Sequence, residues 1–120
     1  MACVMQVNML EQGVENWNSW RKAHPGVRPD FIGAFLMHAN LRSADLHDAD
    51  FTGADLRRVD LTGANMAHAK LKKADLIAAH LADVDFSGAD FQGAYLSDAH
   101  LKHADLKEAF IVEDMLAAQR

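Results

Sequence analysis

Aspartate and histidine side chains recur twenty residues apart along the chain, at Asp60, His80 and His100, with His103 close by. If the chain stacked on itself with this period, these groups would lie on rungs about 5 Å apart, within reach of one metal ion. The group has no cysteine ligand, however, and any repeat of this length generates the same spacing. We therefore predict that the four residues form a solvated polar column and that the protein holds no metal.

No other arrangement of residues indicates catalysis. The sequence has no nucleophile elbow, phosphate-binding loop, zinc signature or dinucleotide fingerprint. None of its four serines has a histidine–aspartate relay suggested by the sequence around it. We predict a protein that is not an enzyme, with no catalytic residues, no cofactor and no cofactor-binding residues.

Length and composition indicate one domain with a core, because the chain has 120 residues and half of them are apolar. The net charge of −5 argues against general affinity for nucleic-acid phosphates. The apolar start MACVMQVNML lacks a positive region and is too short to span a bilayer. The single cysteine, Cys3, cannot form an internal disulfide. We expect a cytoplasmic protein that binds neither membranes nor nucleic acid.

A five-residue repeat must position the polar column. Sixteen large apolar residues stand five apart from Leu36 to Ile111, and alanine lies two residues before fourteen of them. The residue just before the large one is Asp in eight repeats, and Asn, His, Lys or one of three aromatic residues in the others.

A period of five fits neither an α-helix nor a β-strand. Five steps along an α-helix advance about 140°, so the large residues would spiral around it. In a strand they would alternate between its two sides.

The chain must therefore turn once per repeat. Five of the seven glycines, including Gly53 and Gly63, lie two residues after the large residue, where a corner favours positive φ. Four corners of about 90° close a square coil, and stacked coils would pair at the strand spacing of about 4.8 Å. The large residues then point inward in columns. The predicted core consists of Phe51, Leu56, Leu61, Met66, Leu71, Leu76, Leu81, Phe86 and Phe91.

The segments ADLHD, ADFTG and VDLTG resemble the pentapeptide-repeat family, with its motif A-[D/N]-[L/F]-x-x. The resemblance covers residues 29–113, and the segment before them is similar to that of cyanobacterial members. It implies an all-β solenoid, a right-handed quadrilateral β-helix of about four coils. We divide the chain into an N-terminal helical cap at 1–28, the repeats at 29–113 and a short C-terminal helical cap at 114–120.

Both ends of a solenoid expose apolar core unless something covers them. Residues 9–23 predict one helix with Asn8 as its N-cap. Trp17 and Trp20 would lie over the first coil as a lid, and the alternative is an exposed aromatic patch for a partner. At the other end, residues 114–120 either cover the last coil or leave it partly open, so that a second copy pairs there as a homodimer.

The outward positions carry both charges. One column is mostly acidic, at Asp45, Asn65, Asp85 and Asp105. It could face a partner, but we favour that such side chains cap nearby backbone amides. The basic residues of the middle coils are Arg57, Arg58, Lys70, Lys72 and Lys73. We interpret them as balancing the acidic residues beside them.

Two functions remain open. A rigid rod with flat polar faces suits a protein–protein interaction or scaffold module whose partner is another protein. The alternative, which the resemblance implies for some members, is a mimic of duplex DNA that binds DNA gyrase and protects it from quinolones. The repeats, however, are few and carry thirteen acids against eight bases, whereas a DNA mimic needs continuous negative potential. We predict the first function.

Replacing Leu61 by Asp tests whether the large residues face a core. The substitution places an unpaired carboxylate in a narrow apolar interior, so we expect the fold to be lost. Circular dichroism and thermal melting measure the effect. A variant with the wild-type spectrum and melting midpoint would show that Leu61 does not point inward.

Overall fold

The computed structural model describes residues 2–111. Helix α1 spans Val4–Gln12 and helix α2 spans Val14–Ala23. From Asp30 onward, one residue in every five forms a parallel bridge to the residue twenty positions later, and the last bridge reaches Phe110. The twenty-residue period predicted from the sequence is therefore present. The predicted C-terminal helix at 114–120 lies outside the described residues. No helix within the described range has the length and apolar character needed to cross a membrane.

Each repeat closes with a β-turn. The amide of the alanine donates to the carbonyl of the large residue three positions earlier, as Ala64 does to Leu61 at 2.8 Å. The residue two after the large one has φ between 57° and 73° at every corner from 33 to 108. The predicted positive φ at the five corner glycines is confirmed. Eleven corners hold other residues, for which this conformation costs about 1 kcal/mol each, so the surrounding hydrogen bonds must impose it.

Backbone hydrogen bonds join each coil to the next. The amide of Leu41 donates to the carbonyl of Asp60 at 2.8 Å, and the amide of Asp60 donates to the carbonyl of Ala39 at 3.0 Å. The corner residue Ser43 donates to the carbonyl of Thr62 at 3.0 Å. These three bonds and the turn use four of the five amides in a repeat. The fifth amide, on the residue just after the large one, needs another acceptor.

A side chain supplies that acceptor. In all eleven repeats with Asp or Asn just before the large residue, its Oδ1 accepts the fifth amide at 2.9–3.5 Å. Asp85, for example, accepts the amide of Ser87 at 2.9 Å and its hydroxyl at 2.6 Å. This local Asx turn explains why Asp and Asn dominate the position. We call it the capping position. The capping role favoured for the acidic column is confirmed.

The large apolar residues fill the interior. The structure places all nine predicted core residues, from Phe51 to Phe91, in the fully buried core. Phe31 stacks on Phe51 one coil away with ring centroids 5.0 Å apart, and Phe86 meets Phe91 edge-on at 4.9 Å. Alanine at the second inner position is buried between these columns, as at Ala64 and its equivalents. The coil cross-section therefore holds one large and one small side chain per repeat.

The N-terminal cap consists of two helices, so the prediction of one helix over residues 9–23 was wrong. Gly13 separates α1 from α2 with φ of 140° and ψ of 143°, a conformation that essentially only glycine adopts. Asn8 lies inside α1 and is not an N-cap, because this helix already begins at Val4. The prediction gave no weight to the glycine within an otherwise helical pattern.

Trp17 forms the inner layer of the lid. Its side chain is fully buried, its ring lies 5.5 Å from that of Phe31, and its indole N–H donates to the carbonyl of Asp45 at 2.7 Å. Trp20 is partly buried and stacks on Trp17 at 5.4 Å. Leu10 of α1 is buried in the same cluster. Both helices thus contribute an apolar side chain to the end of the core.

Polar groups of the cap replace a missing coil on two sides of the first one. Gln6 accepts the amide of Asp30 at 2.8 Å, and Asn18 accepts the amide of Asp45 at 2.7 Å. The amide of Cys3 donates to the carbonyl of Asp30 at 2.9 Å. These bonds satisfy backbone groups that would otherwise meet a further coil.

Arg21 fixes the end of α2 to the first coil. Its side chain is buried, and Nη2 donates to the carbonyl of His47 at 2.9 Å while contacting the imidazole of the same residue. Burial lowers the pKa of Arg21, and the charges of Asp45 and Asp48 oppose that shift. The guanidinium therefore ties the helix to the coil through a charge that is partly balanced by these two carboxylates.

Asp85 provides a test of the capping position. Hydrogen bonds from the Ser87 side chain and backbone lower the pKa of Asp85 below the ordinary value of 3.8. The stability that the Asp85 carboxylate contributes is fully present above its unfolded-state pKa. It is lost as the pH falls through its folded-state pKa. Asp85→Ala should lower the free energy of unfolding by about 1 kcal/mol at neutral pH. Asp85→Asn should cost less, because its amide oxygen can accept the same bonds.

Urea unfolding at about pH 7 and about pH 2.5 measures these effects. We expect the stability difference between the wild type and Asp85→Asn to shrink at the lower pH, because falling pH favours the protonated carboxyl group, which accepts these bonds less strongly. A difference that stays constant between the two conditions, or an alanine variant as stable as the wild type, would contradict the proposed role of the carboxylate.

Candidate functional site

One side of the solenoid carries most of the exposed apolar side chains. We call it the aromatic face, and it consists of the bridged column Phe35, Asp55, Asp75 and Tyr95 and the residues that directly follow the large ones, Met37, Arg57 and Ile77. Phe35 is 82% exposed and Tyr95 is 58% exposed. The other large apolar residues exposed within residues 2–111 are Val4 and Met5 on α1 and Phe110 in the last repeat.

The two aromatic rings of this face occupy capping positions. The amides of Met37 and Ser97 therefore lack the side-chain acceptor that Asp or Asn provides elsewhere, and no other hydrogen bond of theirs appears among residues 2–111. At each position the chain forgoes a bond of about 1 kcal/mol and exposes an aromatic ring to water. Core packing explains neither Phe35 nor Tyr95, because both side chains point out of the coil.

An ordered ion-pair cluster lies between the two rings. Arg57 binds Asp55 through Nη2 at 2.8 Å and Nε at 2.9 Å, and its Nε lies 3.8 Å from Asp75. The side-chain bond from Arg57 lowers the pKa of Asp55, and the same bond raises the pKa of Arg57. The sulfur of Met37 lies 3.3 Å from Nη2. The centre of the face therefore presents fixed charges, with two acids against one base.

Two hollows border Phe35 where the helices meet the first coil. The larger has a volume of about 570 Å³ and lies between Leu10 and Val14 of the cap and residues 35–42. The smaller has a volume of about 380 Å³ and lies between α1 and residues 32–35. Glu11 borders both hollows. Both hollows thus lie at the Phe35 end of the aromatic face.

The predicted polar column is present, but its side chains are engaged separately. Parallel bridges join Asp60 to His80 and His80 to His100, and the two imidazole rings stack with centroids 5.3 Å apart. His103 lies at a corner with φ of 62°. Among residues 2–111, no three His, Cys, Asp or Glu side chains are arranged to hold a metal ion.

The Asp60 carboxylate takes part in the capping instead. It accepts the amide and hydroxyl of Thr62 at 3.0 and 2.6 Å and pairs with Arg42 at 3.1 Å. Burial raises the pKa of Asp60, but the bonds from Thr62 and Arg42 outweigh it, so the pKa is lowered overall. This carboxylate therefore belongs to the corner of its own repeat and to an ion pair with the coil before it.

Three of the five basic residues of the middle coils, Arg57, Lys70 and Lys72, lie beside acids. Arg57 pairs with Asp55, as described, and Lys72 lies 3.8 Å from Asp90. Lys70 occupies a capping position in the column between Asp50 and Asp90. For these three residues the arrangement agrees with the interpretation of charge balance, whereas no ion pair of Arg58 or Lys73 appears among residues 2–111.

The aromatic face was not predicted, although the sequence contains a signal for it. Phe35 and Tyr95 replace the usual Asp or Asn at the same position of the motif, sixty residues apart. Sixty residues are three turns of a twenty-residue coil, which places both rings on one side. Aromatic residues in place of Asp or Asn at this position of the motif could therefore have indicated the aromatic face from the sequence.

The model for the family of pentapeptide repeats matches eight copies, within residues 28–58, 39–76 and 79–111. A pentapeptide repeat protein from the cyanobacterium Cyanothece 51142 is 28% identical, with a TM-score of 0.70, over 72% of this chain and 59% of that one. The chain thus spans less than two thirds of that relative. A pentapeptide repeat protein from Nostoc PCC 7120 is 38% identical over 80% of this chain and 73% of that one, with a TM-score of 0.49.

A third pentapeptide repeat protein, from the thylakoid lumen of Arabidopsis thaliana, is 28% identical over 70% of this chain and 52% of that one, with a TM-score of 0.48. No curated protein matches this chain. The pentapeptide-repeat match and the neighbour from Cyanothece 51142 imply the right-handed quadrilateral β-helix.

Placing Asn at the capping position of Tyr95 tests whether the tyrosine ring stabilises the fold. Tyr95→Asn should raise the free energy of unfolding by about 0.5–1 kcal/mol, because Asn can accept the amide of Ser97. Asn65 accepts the amide of Ala67 in this way at 3.0 Å. Lys70→Asn on another side is the matched control and should gain a similar amount. Urea unfolding measures both. A gain in the control with a loss at Tyr95 would show that the ring stabilises the fold.

Proposed function

Because the chain belongs to the pentapeptide-repeat family, we propose that it is a non-catalytic protein-binding module that uses its aromatic face. The observation that carries the proposal is the pair of exposed rings, Phe35 and Tyr95, at capping positions of the same side. Both positions lose a stabilising bond without gaining burial. Such a cost is retained where a surface has to contact something else.

The chemistry of the face suits a protein surface. Its two rings lie three coils apart, which corresponds to about 14 Å at strand spacing. Aromatic residues supply most of the binding energy in protein interfaces, and ordered polar groups around them set specificity. Arg57 and its two carboxylates provide such groups between the rings. The excess of one acid favours a partner with a basic residue opposite the centre of the face.

The DNA-mimic alternative has less support. Arg57 interrupts the acidic column of the aromatic face, and Lys70 and Lys72 interrupt the next side. A mimic of duplex DNA needs continuous negative potential, and exposed aromatic rings have no counterpart on a phosphate backbone. The homodimer through the C-terminal end and the cytoplasmic location stay predictions, since residues 112–120 lie outside the described range and no finding bears on location.

Quantitative capture tests the proposed face. Immobilised wild type, Tyr95→Asn and Lys70→Asn are exposed to extract of the source organism, and bound proteins are quantified by mass spectrometry. We expect the wild type and Lys70→Asn to retain the same proteins. Tyr95→Asn should retain at least about tenfold less of them, as for loss of a hot-spot residue. Equal retention by all three baits would contradict the aromatic face as the binding site.

A further inference from the structure

Two sides of the first coil have an open backbone edge facing the helices. The amides of Asp30 and Asp45 are bound by cap side chains, but those of Phe35 and Asn40 have no acceptor among residues 2–111. On the same two sides, four carbonyls accept no hydrogen bond within that range; they belong to Phe35, Met37, Asn40 and Arg42. The helices therefore replace a coil on two sides and leave the other two unpaired.

One coil later, the equivalent groups are all bonded. The amide of Asp55 donates to the carbonyl of Ala34 at 2.8 Å, and its carbonyl accepts the amide of Leu36 at 2.9 Å. The carbonyl of Arg57 accepts the amide of His38 at 3.0 Å. The open edge thus offers two donors and four acceptors in the register of a parallel ladder. An unpaired edge of this kind is a template for another extended chain.

Space for such a chain lies along the open edge. Residues 35–42 form one wall of the hollow of about 570 Å³, and Leu10 and Val14 of the helices form part of the other. Glu11 borders the hollow, and no ion pair or hydrogen bond of its carboxylate appears among residues 2–111. A segment lying there would meet backbone groups on one side, apolar side chains on the other and one negative charge.

We propose that an extended segment of a protein partner, carrying a basic residue, docks in this hollow by pairing its main chain with residues 35–42. Two of its carbonyls accept the amides of Phe35 and Asn40, and four of its amides donate to the open carbonyls. The basic side chain pairs with Glu11. The inference deepens the proposed function and rests on it for the kind of partner, because only a peptide main chain matches the ladder.

The adjacent side of the same coil already accepts one main-chain hydrogen bond of this kind. Cys3 has an extended backbone, with φ of −77° and ψ of 111°, and its amide donates to the carbonyl of Asp30 at 2.9 Å. The docked segment would continue this pairing around the coil, from the side of Asp30 to the sides of Phe35 and Asn40. The proposed site is therefore continuous with an interface that the protein itself forms.

A peptide probe tests the proposal. The acetylated and amidated decapeptide ADLRRVDLTG copies residues 54–63, a half-coil that pairs in this register and contains two arginines. It is titrated to about 5 mM into ¹⁵N-labelled protein and followed by NMR, since millimolar affinity is expected for so short a segment. We expect saturable shifts at the amides of Phe35 and Asn40. The control peptide is N-methylated at both leucines and should bind at least about tenfold more weakly.

Protein variants distinguish the contribution of the backbone amides to peptide binding from that of the side chains. Asn40→Pro removes an amide that makes no bond in the free protein, whereas Asn40→Ala keeps it, and both lose the same side chain. The proline variant should bind the decapeptide at least about tenfold more weakly than the alanine variant. Circular dichroism establishes that both are folded. Glu11→Gln, which leaves the backbone unchanged, should weaken binding and reduce its dependence on salt.

The outcomes distinguish this inference from the proposed function. No saturable shift, equal binding of the N-methylated peptide, or shifts confined to the last coil would each overturn the docking of an extended segment. Tyr95→Asn should bind the decapeptide as the wild type does, because Tyr95 lies three coils from the open edge. If Tyr95→Asn loses the captured proteins while the decapeptide binds neither the wild type nor any variant, the aromatic face is supported as a binding site and the open edge is not.

Discussion

The amide that the backbone ladder cannot use is the constraint on which the structure depends. In a repeat with a coil on either side, such as the one centred on Leu61, four amides find backbone acceptors, and in eleven repeats the fifth is bound by an Asp or Asn side chain two residues earlier. This bond lies at a corner whose next residue has positive φ, although eleven such residues are not glycine. Because the corner recurs every five residues, the large side chains all turn inward, and the core follows from the corners.

The same constraint makes departures from the pattern informative. A repeat that lacks Asp or Asn at its capping position gives up a bond, so its residue must be explained by something other than the fold. Lys70 lies between two acids of its column, which accounts for its charge. The neighbours of Phe35 and Tyr95 in their column are Asp55 and Asp75, which do not explain an exposed aromatic ring. Counting hydrogen bonds thus separates surface residues that bond to the corner of their own repeat from those that do not.

The sequence predicted what depends on the period and missed what depends on local detail. Leu61 could be placed in the core because a spacing of five admits no regular helix or strand. The break between α1 and α2 at Gly13 could not be predicted, because a glycine within a helical pattern can either continue the helix or end it. Tertiary contacts determine which of the two occurs. The spacing of Asp60 and His80 was correctly predicted. The binding of the Asp60 carboxylate by Thr62 and Arg42 depends on side-chain directions that the period does not fix.

Phe35 links the aromatic face to the open edge, since its ring belongs to one and its backbone to the other. The helices cover the first coil through Gln6 and Asn18 on two sides only, and the uncovered sides begin at this residue. A second pair of cap side chains would have closed the edge at the cost of the hollow beside it. One partner that lays an extended segment on the edge is brought next to the ring, so the two contacts can act together without a change in the fold. The selective cover of the first coil is therefore as much a part of the proposed binding surface as the rings themselves.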